Sequence, residues 1–212
     1  MSRGRQHVRR NIMHIFRYGS TEIDHLGKRD KKLEKVIEEI GMIERGVTPD
    51  LFTALVASVA SQQVSAKAAE TVWNRMEDRF GTITPEAIAA IPAEEIQQCG
   101  MSMRKAGYIK GIGDAVAAGN LDLEELHELP DEDVIARLSA LDGVGVWTAE
   151  MLLIFSMERP DVVSWGDLAI RRGMMRLYGK EAIDRAAFER YRKRYSPYGS
   201  VASLYLWEIS HR

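Results

Sequence analysis

One cysteine, Cys99, is present among the 212 residues. A single thiol cannot form an intramolecular disulfide, and it cannot supply the thiolate set of a Cys₄ zinc site or of an iron–sulfur cluster. The histidines lie at no metal-ligand spacing, and the sequence contains neither a Walker-type phosphate loop nor a nucleophile elbow. We therefore expect a chain without a disulfide framework, a catalytic metal or an iron–sulfur cluster.

Long apolar runs are also missing. No stretch approaches the roughly 18 consecutive apolar residues of a transmembrane helix. The basic segment Met1 to Arg10 is not followed by the apolar core of a secretory signal. We therefore expect a cytoplasmic protein with no membrane partner.

The chain has little net charge, a formal −2, but the charge is unevenly distributed. Residues 1–32 carry nine Lys+Arg and three Asp+Glu, residues 33–158 carry nine and 22, and residues 159–212 carry eleven and six. Both ends are therefore basic and the middle is acidic. Such asymmetry is a reason to consider a polyanionic partner, although a basic tail and solvated helix faces give the same distribution.

Helical spacing of apolar residues runs through the chain, as in Leu33, Val36, Ile37 and Ile40. The segment Thr84-Pro85-Glu86 is typical of a capped helix start. The pattern predicts an all-α fold of about ten helices joined by short loops.

We expect residues 1–212 to form one unit with two lobes. The first lobe would comprise residues 33–140, and the second residues 1–32 together with 159–212. Residues 141–158 would supply a hairpin and the helix that follows it.

The most specific string is Leu141 to Ala149, in which Gly143, Val144 and Gly145 form a tight turn just before a helix start at Thr148. Glycines permit positive φ and close approach of another backbone. Amide groups at the positive end of a helix then form a site for an anion. An ordinary turn between two helices is the alternative.

The complete string resembles the helix–hairpin–helix element of DNA glycosylases. Three further segments match that superfamily, and they are Val59 to Ser65, Ser164 to Gly173 and Ser196 to Trp207. The resemblance extends from about Asp24 to Trp207 and is closest to the 3-methyladenine DNA glycosylase II group. It implies a two-lobed fold with the active site in the cleft between the lobes. Longer members have an additional N-terminal domain, so we expect a compact member.

The resemblance assigns the catalytic role to Asp167, which follows Gly145 by 22 residues. Breaking an N-glycosidic bond gives the sugar oxocarbenium character, and a fixed carboxylate stabilises that charge. The resemblance to this group implies excision of alkylated purines such as 3-methyladenine and 7-methylguanine, leaving an abasic site. The alternative role of Asp167 is to cap the following helix, and both roles can coexist.

An aromatic pocket should receive the flipped, electron-poor base. Trp147 and Trp207 match the family's pocket aromatics, and Met151, Phe16 and Tyr18 are weaker candidates. Each of these could instead be a core residue. Trp147 stands where bifunctional glycosylase/lyases carry a lysine that forms a Schiff base. The resemblance therefore implies a monofunctional hydrolase.

The family also fills the gap left by the flipped base with a loop side chain, here called the wedge. Gln63 is our first choice, and Gln62 is either second or packed inward to hold the loop; two exposed polar residues are the alternative. Gly143, Val144, Gly145 and Thr148 would bind a DNA phosphate. A Na⁺ or K⁺ ion would sit at the carbonyls of residues 141–146, with no other cofactor required.

The expected partner is double-stranded DNA containing a damaged base, bound by a monomer. Two alternatives remain open from the sequence. The first is the same enzyme acting on an oxidised, deaminated or etheno base. The second is a non-catalytic DNA-binding module. Asp167 counts against it, because binding alone does not require a buried carboxylate beside a phosphate site.

Overall fold

The computed structural model describes residues 14–212 and contains, within that range, thirteen α-helices and one two-stranded antiparallel sheet. The basic segment Met1 to Arg10 lies outside the described residues. The strands are β1 (His14–Ile15) and β2 (Gly46–Val47). The helices are α1 (Ser20–Arg29), α2 (Lys31–Ile40), α3 (Leu51–Ser61), α4 (Ala66–Phe80), α5 (Pro85–Ala90), α6 (Ala93–Gln97), α7 (Met103–Ala117), α8 (Glu125–Glu128), α9 (Asp131–Ser139), α10 (Val146–Phe155), α11 (Leu168–Tyr178), α12 (Arg185–Tyr195) and α13 (Gly199–His211).

The all-α prediction is confirmed, with thirteen described helices instead of about ten. Helices α1 and α8 are two that the spacing of apolar residues does not predict. Apolar spacing does not predict helix α1, because Ile23 and Leu26 are the only large apolar residues among its ten residues. Two such residues are too few to form an apolar stripe along a helix.

Local sequence fixes most helix starts. In seven of the described helices the N-cap side chain accepts a hydrogen bond from the first turn, and these caps are Asp30, Asp50, Ser65, Thr84, Ser102, Asp167 and Asp184. Such an oxygen satisfies an N–H group that has no partner within the helix.

The helices contact one another in two groups. Helices α1, α2, α11, α12 and α13 pack together, which joins the two ends of the described chain. Helices α3 to α7 pack with one another, and α10 contacts both α9 and α3. Because α2 packs on α1 and α11, the contacts favour a lobe boundary after Ile40 instead of at residue 33. The division into lobes otherwise stays a prediction.

The contact between α11 and α13 is unusually close. Gly173 of α11 lies directly against the backbone carbonyl of Leu206 in α13, where any Cβ would overlap it. Helix α13 is almost wholly buried, so it forms the centre of this group. The start of α11, which carries Asp167, is thereby fixed relative to α13, which carries Trp207.

A buried polar network ties α1 and α2 to α11 and α12. The hydroxyl of Tyr178 donates to Oδ2 of Asp30 at 2.6 Å and lies 2.6 Å from the hydroxyl of Tyr195, while Arg194 donates to the same carboxylate oxygen at 3.2 Å. Asp30 also caps α2 through its other oxygen. One buried carboxylate therefore joins four helices.

Within residues 14–212, no helix combines the length and apolarity needed to cross a membrane. The same residues contain no group of three or more His, Cys, Asp or Glu side chains that could hold a metal ion.

Candidate active site

The hairpin between α9 and α10 has the geometry that its glycines predict. Gly143 has φ +82°, and a Cβ at this position would overlap the ring of Tyr108 on α7. Val144 is buried, and its N–H donates to the carbonyl of Leu141 at 3.1 Å. The turn is therefore held to the central helices by Val144 from within and by the Tyr108 ring beneath Gly143.

Gly145 has a different role from Gly143. It is the N-cap of α10, with φ −89°, and no atom lies within 4 Å of the place a Cβ would occupy. The residues after it, Val146 and Trp147, are 55% and 48% exposed, whereas Thr148 is buried. Since the first N–H groups of a helix have no intrahelical partner, an anion can approach this end of α10 along open backbone.

The hairpin carbonyls are partly engaged by protein donors. The carbonyl of Leu141 accepts from Val144, that of Gly145 accepts from Ala149 at 3.0 Å, and that of Gly143 accepts from the side-chain amide of Gln62 at 2.8 Å. A carbonyl oxygen has two lone pairs, so these bonds leave acceptor capacity for a cation. The monovalent ion at carbonyls 141–146 stays a prediction.

Asp167 is 7% exposed and lies at the start of α11. Its Oδ1 accepts the backbone N–H of Ile170 at 2.9 Å, which makes it the helix N-cap. Its Oδ2 accepts the indole N–H of Trp147 at 2.9 Å. The Asp167 side chain therefore both caps α11 and lies next to the hairpin. Its bond to Trp147 joins the two helix groups.

The backbone at Asp167 is held by residues that the sequence analysis missed. Its N–H donates to the hydroxyl of Ser164 at 3.2 Å, and that buried hydroxyl donates in turn to Oε2 of Glu150 on α10. Burial raises the pKa of the Glu150 carboxyl, the hydrogen bond from Ser164 lowers it, and the nearby Asp167 charge raises it. The sequence contains one signal for the role of Glu150: it follows Trp147 by three residues, and this spacing places both side chains on one face of α10.

The predicted pocket aromatics differ in exposure. Trp147 lies beside Asp167 at the surface, whereas Trp207 is 8% exposed and its ring lies 5.4 Å from that of Phe155, centroid to centroid. Met151 is half-buried, one helical turn after Trp147. Their shared role in a base pocket stays a prediction.

The N-terminal candidates have structural partners. Phe16 is buried, and its N–H donates to the carbonyl of Arg45 at 2.8 Å. The Tyr18 hydroxyl accepts the N–H of Ile43 at 2.6 Å and lies 3.4 Å from the Tyr205 hydroxyl. These contacts hold the segment after α2 against α13, and a pocket role for Phe16 and Tyr18 stays a prediction.

The two glutamines between α3 and α4 face in different directions. Gln62 is half-buried, with its amide bonded to the hairpin, whereas Gln63 is exposed and has φ +56°, the left-handed conformation that non-glycine residues seldom adopt. Lys105 on α7 donates to the carbonyls of Ala60 and Gln62, so it holds the end of α3 instead of projecting into solvent. Burial lowers the pKa of the Lys105 ammonium.

One face of α7 therefore supports both loops. Lys105 holds the loop that carries Gln63, and Tyr108, three residues later, lies under Gly143 of the hairpin. Gln62 connects the two loops directly. Through these contacts the loop that carries the exposed Gln63 is joined to the hairpin, which precedes the exposed N-terminus of α10.

Comparison with known proteins identifies this combination of hairpin, aspartate and glutamine loop. The family model described as "HhH-GPD superfamily base excision DNA repair protein" matches residues 56–197, which include Gln62, Gln63, the hairpin and Asp167. The chain belongs to the HhH-GPD superfamily. This confirms the resemblance and the fold class.

Relatives within the HhH-GPD superfamily carry a consistent name. DNA-3-methyladenine glycosylase 1 of Schizosaccharomyces pombe is 32% identical over 194 residues, which cover 88% of this chain and 85% of the relative. A crystal structure of a DNA-3-methyladenine glycosidase from Bacillus halodurans is 36% identical, with a TM-score of 0.84 and 93% coverage of both chains.

A structure of the S. pombe 3-methyladenine DNA glycosylase in complex with abasic DNA is also similar to this HhH-GPD chain. It has a TM-score of 0.77 and 32% identity, and the match covers 91% of this chain and 97% of the relative.

Proposed function

We propose that the protein is a DNA glycosylase that hydrolyses the N-glycosidic bond of alkylated purines, of the 3-methyladenine and 7-methylguanine type, in double-stranded DNA. The observation that carries the proposal is the 2.9 Å bond between the Trp147 indole and the Asp167 carboxylate. This bond brings a buried carboxylate next to an exposed aromatic ring, in the helix turn that follows the glycine hairpin. The names of the relatives support the choice of lesion.

The chemistry assigned to Asp167 is electrostatic. The target nucleotide must leave the base stack, because the bond to be broken is inaccessible inside a duplex. As the base departs, the carboxylate stabilises the positive charge that develops on the sugar and orients the attacking water. A ring-alkylated purine is already cationic, so it leaves as a neutral base without a general acid. The products are the free base and an abasic site.

Selection of a cationic base would rest on aromatic rings. An electron-poor purine stacks favourably on an electron-rich indole, and cation–π attraction adds to that preference. Trp147 is half-exposed and already oriented by its bond to Asp167, so it is the first candidate for this contact. Trp207, Met151, Phe16 and Tyr18 are proposed to complete the pocket.

We assign no lyase step to the enzyme. A β-elimination of the sugar would require an amine nucleophile that forms a Schiff base, and the position concerned is occupied by Trp147. Indole nitrogen is not nucleophilic in this sense. Treatment with borohydride during the reaction is expected to trap no covalent protein–DNA adduct, and a trapped adduct would contradict the monofunctional proposal.

DNA binding is assigned to the hairpin residues Gly143, Val144, Gly145 and Thr148, with a Na⁺ or K⁺ ion at the carbonyls of residues 141–146, and to Gln63 as the wedge. Binding through backbone groups instead of many Lys and Arg side chains releases few counterions, so we expect a shallow dependence of affinity on salt. The protein is proposed to act as a monomer in the cytoplasm.

The decisive experiment uses duplexes that each carry one defined lesion, with released base measured under single-turnover conditions. Wild-type protein should release alkylated purines, and Asp167→Asn should lower the rate on the order of a hundredfold or more while DNA binding is kept. Asn still caps α11, so loss of the helix start is not a competing explanation. Release that persists in the variant would overturn the assignment of Asp167.

The same series separates the two alternatives. Release of only oxidised, deaminated or etheno bases would retain the enzyme and change the substrate. Tight binding of every damaged duplex without release of any base would indicate a DNA-binding module.

A further inference from the structure

Helix α10 holds Asp167 at two points. Trp147, in the first turn, binds the side-chain carboxylate, and Glu150, three residues later, reaches the backbone of the same residue through Ser164. The two residues lie on one face of the helix because their spacing is close to one turn. The first contact belongs to the proposed active site, and the second has no role in the chemistry described above.

The Glu150 contact is well defined. Ser164 is completely buried, and its hydroxyl donates to Oε2 of Glu150. The Ser164 Oγ in turn accepts the N–H of Asp167 at 3.2 Å. The Asp167 N–H precedes α11, so no helical carbonyl is available to accept it. Ser164 is therefore the acceptor for an N–H group that would otherwise be buried without a partner.

We infer that Glu150 is a positioning residue for base excision: through the Ser164 hydroxyl it fixes the backbone of Asp167 against helix α10, and so fixes where the carboxylate meets the sugar. The expected effect of Glu150 on the rate of base release rests on the proposed function. The geometric part, a bridge from Glu150 through Ser164 to Asp167, can be tested without activity.

The charge on Glu150 matters to this bridge. A carboxylate is a stronger acceptor of the Ser164 hydroxyl than a protonated carboxyl, whose own O–H competes as a donor. Burial raises the pKa of Glu150, and the group therefore takes up a proton at a higher pH than an ordinary glutamate does. As pH falls, the bridge should therefore weaken at a higher pH than an ordinary glutamate would require.

Other charged groups surround Glu150 and act on its titration. The cavity beside it, about 320 Å³, is lined by charged side chains from α9, α12 and the segment after α10, and these are Asp131, Glu132, Asp161, Arg185, Glu189 and Arg192. Arg185 and Arg192 favour the charged carboxylate, whereas Asp167 opposes it. Glu189 lines the same cavity on α12 and forms an ion pair with Arg185 at 3.1 Å, so it is the matched control.

The test compares single-turnover rates of base release for wild type, Glu150→Gln, Ser164→Ala and Glu189→Gln across pH. At neutral pH the first two variants should lose roughly tenfold, since misplaced catalytic groups lower rates steeply, and the control should retain the wild-type rate. The wild-type rate should fall through mildly acidic pH, whereas Glu150→Gln should stay level over that range. Glu150→Gln should fold normally, because burial already disfavours the charged form.

A second readout needs no DNA. In the free protein, the amide NMR signal of Asp167 should shift with the titration of Glu150, and this shift should disappear in Glu150→Gln and in Ser164→Ala. A wild-type rate and pH profile in Glu150→Gln, or an Asp167 amide that does not respond, would overturn the inference. If no protein releases any base while the amide titrates as expected, the proposed function fails and the bridge stands.

Discussion

Trp147 donates its indole N–H to Oδ2 of Asp167 at 2.9 Å, while Oδ1 of the same carboxylate accepts the backbone N–H of Ile170 at an equal distance. Each oxygen therefore has a donor from a different helix. Two donors fix the plane of the carboxylate as well as its position, which is what stabilisation of a developing charge requires.

Replacing Trp147 by Phe should separate its two proposed roles. Phenylalanine keeps an aromatic face for the base but lacks the donor, so the carboxylate loses one of its two bonds. A hydrogen bond to a charged group contributes about 1.5–3 kcal/mol, which corresponds to about a tenfold to hundredfold fall in single-turnover rate. Trp207→Phe is the control, since the ring of Trp207 lies against Phe155. Equal losses in both variants would show that the indole donor has no special role.

The two hairpin glycines should respond differently to alanine. Gly143→Ala places a Cβ against Tyr108 at positive φ and should lower the unfolding free energy by about 1–3 kcal/mol. Gly145→Ala meets open space at an ordinary φ, so it should fold as the wild type does. Its methyl group would, however, obstruct the approach of a phosphate. We expect normal thermal stability with weakened DNA binding, and unchanged affinity would argue against phosphate binding at this point.

Gln62 and Gln63 should also be separable. Gln62→Ala removes the bond to the Gly143 carbonyl and should cost about 1 kcal/mol of stability. Gln63→Ala should leave stability unchanged and slow base release from a fully paired duplex. That defect should shrink when the lesion lies opposite a mismatched base, because less stacking and pairing must then be broken. A defect of the same size on both duplexes would contradict the wedge assignment.

The tyrosine network predicts a loss of stability in alkali. Burial, followed by the neighbouring Tyr195 and Asp30 groups, raises the pKa of Tyr178, and burial likewise raises the pKa of Tyr195. Both hydroxyls stay protonated in the folded protein, whereas in the unfolded chain they ionise near their usual value of about 10. Their stabilising contribution is complete below that pH and is lost progressively as pH rises above it.

Denaturant unfolding measured from neutral pH to strong alkali should show this decline. Tyr178→Phe should be less stable at neutral pH, because Asp30 loses a donor, and its decline in alkali should be shallower. Tyr191→Phe is the control, since that substitution keeps the ring stacked on Tyr178 at 3.7 Å. A slope in Tyr178→Phe identical to that of the wild type would show that the network does not govern alkaline stability.

The parts of the site that were predictable are those encoded by contiguous residues. The hairpin string, Asp167 and the glutamine pair each lie within a short motif, because turn geometry and helix capping depend on local sequence. The structure shows where each of them lies, and their roles stay predictions. The motif favoured Gln63 as the wedge without excluding Gln62, and the bond from Gln62 to Gly143 is a contact that the motif does not show.

The other parts of the site depend on contacts between residues that are distant in the sequence. The ammonium of Lys105 binds carbonyls at the end of α3, which lies more than 40 residues earlier in the chain. Glu150 lies in no matched motif, and Ser164, although it begins one, acquires its role only where α10 meets the start of α11. Periodicity shows which face of a helix is apolar, and it does not show which helix that face meets.

The contact of Gly173 with the Leu206 carbonyl limits how the enzyme can adapt to new lesions. With backbone against backbone, α11 and α13 cannot approach further, and any larger residue at position 173 would force them apart. The separation between the Asp167 carboxylate and the Trp207 ring is thus set by main chain. A variant with altered lesion preference should therefore arise through exchange of pocket side chains, and substitutions at Gly173 should abolish folding before they widen the substrate range.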